Sequence, residues 1–301
     1  MENIKTLILI LMPMFVGFAV AIPKKYNIMI DRLLNVSVYM ILLTIGMGLA
    51  RVDNLWIQLR DVMMYVLVLF TLLMTLNIVF LHIFEYLVPH HSVVLPEQKQ
   101  KKINFLDNLK QPALVLVGLF LGKMLPEHYL FPEQTGTYIL MVLIFLVGIQ
   151  LRSNGISLKQ VLLNKRGMQI SVVFTLSCLL AGVLFAVIFD NVSLTKGLAL
   201  SSGYGWYSLS GIVMTQAYDA TWGSVALLND LLREFFALMF IPLLMRTSSA
   251  TAIGIGGATS LDFSLPIIQS SGGLMTVPLA ISFGFVVNIT SPFLMLIFSS
   301  F

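Results

Sequence analysis

The chain has 301 residues, of which 58% are apolar and only 11% are charged, and its formal net charge is +4. In soluble globular proteins, about a quarter of all residues are charged. The composition therefore excludes a soluble protein and predicts an all-α integral membrane protein that crosses the bilayer several times. Because the basic residues lie in short loops, the positive charge indicates membrane topology rather than nucleic-acid binding.

Apolar segments of about the length of a membrane helix, roughly 20 residues, recur along the chain. The first is interpreted as a retained helix rather than a secretory signal, since it leads directly into further apolar segments. The seventh and ninth are interrupted by glycines, so the chain is expected to have eight to ten hydrophobic segments, some of them discontinuous or re-entrant. The ten run roughly over residues 5–22, 33–50, 62–88, 112–125, 136–151, 168–189, 195–217, 223–246, 250–270 and 274–300.

The loops between these segments predict the topology. Residues 23–32, 89–110 and 152–166 are basic, whereas residues 126–136 carry two glutamates. Basic loops face the cytoplasm, so both termini are expected outside, on the periplasmic side of a bacterial inner membrane. Arg51 and Arg60 fall in an outside loop and argue against this orientation, although each has an aspartate nearby.

Weak internal similarity suggests a duplicated unit. Residues 16–18 resemble residues 117–119, and residues 46–49 resemble residues 148–151, in both cases about a hundred positions apart. A unit of three helices that occurs twice would be inverted across the bilayer. We accordingly divide the chain into a three-helix unit with a basic cytoplasmic loop, residues 1–110, and a main transport unit, residues 111–301.

The first polar group in an apolar segment comprises Asn229, Asp230, Arg233 and Glu234. At 3.6 residues per turn, Asp230 and Glu234 lie on the same face of a helix, and Arg233 is three residues from Asp230. An ionised side chain at the bilayer centre costs at least about 2.5–3.5 kcal/mol, so it is normally paired or faces water. Two readings stay open: a functional site, or a structural cluster in which Arg233 neutralises one of the acids.

The second group lies in residues 251–271, where glycines and a proline make one smooth helix improbable. Irregular backbone at membrane depth is tolerated where it lines a wet cavity, and Asp262 lies in the middle of this segment. The alternative is an extramembrane loop in which Asp262 only caps a helix. The residues expected to support a site here are Gly256, Gly257, Thr259 and Ser260.

The third group is a run of serines, glycines and aromatic residues at positions 201–211. Serines can bind a solute, and aromatic rings can bound a pocket or contact an ammonium group. Small residues at this density also pack helices together, and aromatic residues gather at the membrane interface, so both readings stay open. The candidates are Ser201, Tyr204, Tyr207, Ser208 and Ser210.

Other chemistries find no support in the sequence. The four histidines, at positions 82, 90, 91 and 128, form no metal-ligand pattern, and there is no P-loop or nucleophile elbow. Cys178 is expected to be a small buried core residue. We expect neither a metal nor a cofactor.

Five runs of sequence closely resemble the LysO-type bacterial lysine exporters, and the similarity extends over the chain, most strongly from about residue 140 onward. They are FLVGIQLR at 145–152, SGYGWYSLSG at 202–211, NDLLRE at 229–234, GATSLDF at 257–263 and GGLMTVP at 272–278.

The resemblance implies an exporter of L-lysine and its toxic analogue thialysine, in exchange for protons, with eight spans and both termini periplasmic. It also implies that the family's essential intramembrane acidic pair corresponds to Glu234 and Asp262. Eight spans fit ten segments if two are re-entrant, the ninth being the favoured one. The substrate carboxylate is expected either at a half-helix N-terminus near residues 256–260 or at Arg233.

The expected partners are L-lysine, thialysine, protons and the lipid bilayer, but no nucleic acid; a homo-oligomer is left open. Two other functions are the alternatives. An intramembrane aspartyl hydrolase could use two membrane carboxylates to activate water, but the G-x-G-D context is missing around Asp262. A non-transporting membrane sensor would leave the buried acids without a role.

Overall fold

The computed structural model describes residues 12–13, 16–20, 22–23, 26–50, 55–89, 110–125, 131–132, 135–153, 164–261 and 263–300. Several predictions concern positions outside these ranges. They are most of the first segment, the histidines at 90, 91 and 128, most of the basic loop residues, and Asp262.

Eleven α-helices make up nearly all of the described chain, which is therefore an all-α polytopic membrane protein, as predicted. Nine of the ten predicted segments coincide with helices or helix pairs; the first lies mainly outside the described residues. The helices are α1 (Asn27–Ala50), α2 (Leu55–Leu87), α3 (Lys110–Met124), α4 (Thr135–Ser153), α5 (Lys165–Ile188), α6 (Leu194–Ser201), α7 (Tyr207–Ala217), α8 (Ala220–Leu244), α9 (Ser249–Ile255), α10 (Leu265–Gly272) and α11 (Val277–Ser299).

Four helices in the described ranges are long and apolar enough to cross a membrane on composition alone. These stretches are Asn27–Thr44, Arg60–Leu87, Lys165–Ile188 and Val277–Ser299. Helix α8 has 25 residues, which at 1.5 Å per residue gives about 37 Å, also enough to span. Three charged residues in its middle distinguish it from the other four.

Glycines bring the helices of the N-terminal half into backbone contact. A Cβ on Gly118 would collide with the backbone of Leu43 and Gly46, so α1 and α3 touch without intervening side chains. A Cβ on Gly17 would likewise collide with the backbone carbonyl of Phe145 in α4. In the predicted duplication Gly17 corresponds to Gly118, and the contacted stretches also correspond. Two copies related by a twofold axis are expected to make such reciprocal contacts.

Helices α6 and α7 form a hairpin rather than a single crossing. Lys196, in the first turn of α6, places its ammonium 4.7 Å from the ring centroid of Tyr218 at the end of α7, and 4.5 Å from that of Trp222 in α8. A straight path of more than 20 residues would separate these ends by about 30 Å. The chain therefore enters and leaves at the same end of the bundle, with its turn at residues 202–206, called here the first tip.

Helices α9 and α10 form a second hairpin, whose turn at residues 256–261 is called here the second tip. A Cβ on Gly272, the last residue of α10, would lie 2.8 Å from the sulfur of Met245, which caps the end of α8 just before α9. The first hairpin opens at the start of α8 and the second at its end. Because α8 has the length of a membrane span, the two hairpins enter the bundle from opposite ends. They correspond to the two segments, seventh and ninth, that the glycines marked as interrupted.

Candidate functional site

The two hairpins meet at their tips. The backbone N–H of Ala258 in the second tip donates a 2.8 Å hydrogen bond to the carbonyl oxygen of Tyr204 in the first. The approach requires glycine at position 257, where φ is +56° and a Cβ would collide with that carbonyl oxygen. Tyr204 itself has φ +56° and Gly205 φ +87°, so the first tip is also left-handed.

Helix α11 binds the carbonyl groups that the broken helices leave unpaired. The hydroxyl of Ser291 donates to the carbonyl of Ser202 at 2.8 Å, and the amide of Asn288 donates to that of Ala258 at 2.8 Å. Both side chains are at least nine-tenths buried. Backbone that departs from a helix inside a membrane needs such partners. Neither residue is among those predicted from the sequence, although each is a polar position in an apolar segment.

Asp230 fastens the first tip to α8. Its carboxylate accepts hydrogen bonds from Ser210 Oγ at 2.6 Å, Asn229 Nδ2 at 3.1 Å and the N–H of Gly205 at 3.3 Å. The Gly205 amide lies just before the N-terminus of α7, where a negative charge is favoured. None of these donors is Arg233, whose guanidinium makes no hydrogen bond to any described residue. Whether the group is a functional site or a structural cluster neutralised by Arg233 therefore stays a prediction.

Arg233 and Glu234 lie near the middle of α8 and are 1% and 5% exposed. The Arg233 guanidinium carbon lies 5.6 Å from the centroid of the Phe174 ring of α5. Arg233 Nη2 lies close to Gly257, since a Cβ placed on that glycine would be 3.3 Å from it. The guanidinium thus borders the second tip. Asp262 lies outside the described residues, so its pairing with Glu234 stays a prediction.

A second polar cluster near this region consists of Asn77 in α2 and Ser177 and Cys178 in α5. Asn77 Oδ1 accepts hydrogen bonds from Ser177 Oγ at 2.5 Å and from the thiol of Cys178 at 3.4 Å. All three side chains are fully buried. Cys178 and Phe174 are one turn apart on the same face of α5, so Asn77 lies on the side of α5 that Arg233 contacts. An asparagine inside a strongly apolar segment was the signal that the sequence analysis overlooked.

Some predicted residues have local roles at the edge of the tips. Ser201 is buried against α5, where a Cβ on Gly182 would collide with its hydroxyl, and it donates to the carbonyl of Leu198. Ser260 donates to the carbonyl of Ile253, and Thr259 donates to that of Gly256, so both close the turn of the second tip. These hydroxyls stabilise the break in the helix.

The other predicted residues, Tyr207 and Ser208, begin α7. Tyr207 is half-buried and Ser208 is 2% exposed. Their part in a binding site stays a prediction.

Charged residues also fix the opening of the second hairpin. Glu85 of α2 accepts a hydrogen bond from the N–H of Ala250 at 2.9 Å, and it pairs with Arg166 of α5 at 3.1 Å. The Arg166 guanidinium stacks 4.2 Å from the centroid of the Phe84 ring. The sequence predicts Arg166 at the end of the basic loop at residues 152–166, but the structure places it in the first turn of α5, where its charge is buried against Glu85.

The opening of the first hairpin is aromatic. Lys196 lies against the rings of Tyr218 and Trp222, and Trp222 stacks on Tyr65 with ring centroids 5.0 Å apart. The hydroxyl of Tyr65 accepts a hydrogen bond from the amide of Asn191 at 2.7 Å. Aromatic residues with a polar tip are typical of the membrane–water interface. The two openings therefore differ in chemistry, one ionic and one aromatic.

Comparison with known proteins gives the same family as the sequence motifs. The family described as lysine exporter LysO matches residues 113–299, which include both hairpins, α8 and α11. The lysine exporter LysO of Escherichia coli (strain K12) is 40% identical over 296 residues, covering 98% of this chain and 99% of that protein. The chain belongs to the LysO family of lysine exporters.

A second relative matches a shorter stretch of this chain at higher identity. A protein of Haemophilus influenzae, named as a candidate lysine exporter, is 52% identical over 189 residues, or 63% of this chain and 96% of that protein. No solved structure matches the chain. Family membership identifies the chain as a membrane transporter rather than an enzyme. The alternative of an intramembrane aspartyl hydrolase is therefore not supported.

Two broken hairpins that meet at mid-bundle are an arrangement suited to transport. Discontinuous helices place backbone amides, carbonyls and charged side chains where a solute can reach them inside the membrane. Here the tips adjoin Asp230 and Arg233 near the middle of α8. The arrangement can bind a small charged solute, and small movements of the hairpins can expose it to either side.

Proposed function

We propose that this chain exports L-lysine and its analogue thialysine from the cytoplasm by proton antiport, with Glu234 and Asp262 as the carboxylates that bind protons and the substrate cation. The observation that carries the proposal is a glutamate that is only 5% exposed in the middle of α8, in a chain of the lysine exporter family and next in sequence to Arg233, which borders the second tip. A carboxylate in that place is costly unless it binds a cation or a proton.

Competition between protons and substrate would suffice for antiport. Lysine brings ammonium groups, and these bind carboxylates only when the carboxylates are ionised. Protonation of the carboxylates from the outer side then releases the substrate there. When the site opens to the cytoplasm again, the carboxylates release their protons on that side. The scheme needs alternating access to the site, for which the opposed hairpins provide two separate openings.

We further propose an inner-membrane location with both termini on the periplasmic side. The positive-inside rule supports this orientation, as does a count of eight crossings with the two hairpins excluded. In that orientation the first hairpin opens toward the periplasm and the second toward the cytoplasm. The basic residue Arg152, which ends α4, then lies at the cytoplasmic end.

The decisive experiment measures labelled lysine uptake into inverted membrane vesicles, with and without an acid-inside pH gradient. We expect the gradient to stimulate uptake, and we expect Glu234→Gln and Asp262→Asn each to abolish the stimulated part. Asp219→Asn is the matched control, because this exposed residue caps α8 through the N–H groups of Thr221 and Trp222. An asparagine can still accept those bonds.

Each component of the proposal can fail separately in this assay. Absence of lysine uptake by the unaltered chain would refute lysine export and favour a non-transporting sensor. Uptake that ignores the gradient would refute proton antiport. Gradient-driven uptake by either carboxylate variant at the unaltered rate would exclude that residue from coupling. Excess unlabelled thialysine should suppress labelled lysine uptake if both share the site.

A further inference from the structure

Arg233 is a buried charge with no hydrogen-bond partner among the residues that the structure describes. It is the largest fully buried side chain in the described part of the chain. None of its three guanidinium nitrogens donates a hydrogen bond to any residue that the structure describes. Arginine cannot lose its proton in a protein, so the charge and its five N–H groups persist.

The described neighbours of Arg233 hold the guanidinium in place but give its N–H groups no strong hydrogen-bond acceptor. Phe174 offers the face of its ring, which attracts a cation but accepts no strong hydrogen bond. Asp230 acts on Arg233 through space, yet its oxygens are occupied by Ser210, Asn229 and Gly205. The thiol of Cys178 is a weak partner.

Removing such a group from water costs several kcal/mol unless its hydrogen bonds are restored. Buried polar groups in proteins are almost always satisfied, and an exception needs an explanation. The planar fork of arginine matches a carboxylate, which can accept two parallel hydrogen bonds from it. A solute that enters the site with a carboxylate would satisfy Arg233.

A second unsatisfied donor lies on the same side of α5. Asn77 uses its oxygen to accept from Ser177 and Cys178, whereas its buried Nδ2 donates to no residue in the described ranges. The rival anion site at the second tip is less suitable. Its Ala258 N–H already donates to Tyr204 across the hairpins, and the Gly257–Leu261 helix has only five residues.

We infer that Arg233, supported by Asn77, is the receptor for the α-carboxylate of the transported amino acid. This inference rests on the proposed function, since it names the part of the substrate that Arg233 recognises. It also gives the site a selection rule: the exporter accepts amino acids and rejects diamines that have the same ammonium groups but no carboxylate. The aliphatic diamine would leave Arg233 buried and unpaired.

The test compares lysine with cadaverine, which is lysine without its carboxylate. The purified full-length protein is loaded with labelled lysine, and each unlabelled compound is titrated as a competitor. A buried polar site rejects a ligand that lacks its partner group by large factors. We expect the unaltered protein to bind cadaverine on the order of 100-fold more weakly than lysine.

Variants of Arg233 should remove this preference selectively. In Arg233→Gln we expect lysine affinity to fall to roughly that of cadaverine, while cadaverine binds as well as before or better. Arg233→Lys keeps the charge but loses the fork, so an intermediate preference is expected. Arg246→Gln, at the exposed end beyond α8, is the matched control and should keep the full preference.

The proposal fails if the unaltered protein binds cadaverine and lysine equally, or if Arg233→Gln keeps the preference for lysine. Cadaverine binding by Arg233→Gln reports directly that this variant is folded. Should it not fold, Arg233→Lys decides: an unchanged preference overturns the proposal, and a reduced one supports it. Lysine uptake by vesicles of the unaltered chain separates these outcomes from a failure of lysine export itself.

Discussion

The contact between the two hairpin tips makes a quantitative prediction for Gly257→Ala. A Cβ in the left-handed backbone region costs about 1–2 kcal/mol. The same Cβ would collide with the carbonyl oxygen of Tyr204, and overpacking of this kind costs about 1–3 kcal/mol. Displacement of the second tip would also break the hydrogen bond from Ala258, worth about 1 kcal/mol. We therefore expect a loss of roughly 3–6 kcal/mol.

Gly205→Ala is the matched control for this prediction. Gly205 also has a left-handed backbone, with φ +87°, but the nearest atom to a Cβ there is the carbonyl oxygen of Gly256 at 4.0 Å. Its cost should be only the conformational part, about 1–2 kcal/mol. The difference between the two variants thus measures the closeness of the tips rather than the strain of the backbone.

The assay is thermal unfolding of the two purified variants in the same detergent, followed by the fraction that stays monodisperse in size-exclusion chromatography. Each kcal/mol of lost stability lowers the unfolding midpoint by about 2–4 °C. The midpoint of Gly257→Ala should therefore lie roughly 5 °C or more below that of Gly205→Ala. Equal midpoints, or a lower midpoint for Gly205→Ala, would refute the contact between the tips.

Two further predictions concern groups that hold the hairpins. Ser291→Ala removes the donor to the buried carbonyl of Ser202 and should lower the stability by about 1–3 kcal/mol in the same thermal assay; an unchanged midpoint would contradict that role. Glu85→Gln weakens the pair with Arg166 and the bond to the N–H of Ala250. It should cost about 1–3 kcal/mol, most of which Glu85→Gln combined with Arg166→Met should recover if the unpaired charge is the cause.

Helix positions could be read from the sequence because the signal is local. The segment predicted at residues 62–88 matches Leu55–Leu87, and the one at 168–189 matches Lys165–Ile188. A membrane helix buries its own backbone hydrogen bonds, so its apolar length is set by the bilayer and not by distant residues. The glycines near positions 203 and 257 marked both interruptions for the same reason.

The partners of the polar residues could not be read in this way. Asp230 was grouped with Arg233 because the two are three positions apart, but it binds Ser210 on another helix. Asn77 joins Ser177 across a hundred positions of sequence. Helical periodicity shows which residues share one face of a helix. It does not show which neighbouring helix packs against that face.

The sequence by itself therefore determined the membrane-protein class, the spans, the two interrupted segments and the family. Hydrophobicity, glycine and long motifs are properties of continuous stretches of chain, so they need no knowledge of the fold. Only the tertiary structure decided that both interrupted segments are hairpins, that their tips meet at Tyr204 and Ala258, and that Arg233 is left without a hydrogen bond among the described residues. Those facts depend on which side chains the folded helices bring together, and residues far apart in the chain supply them.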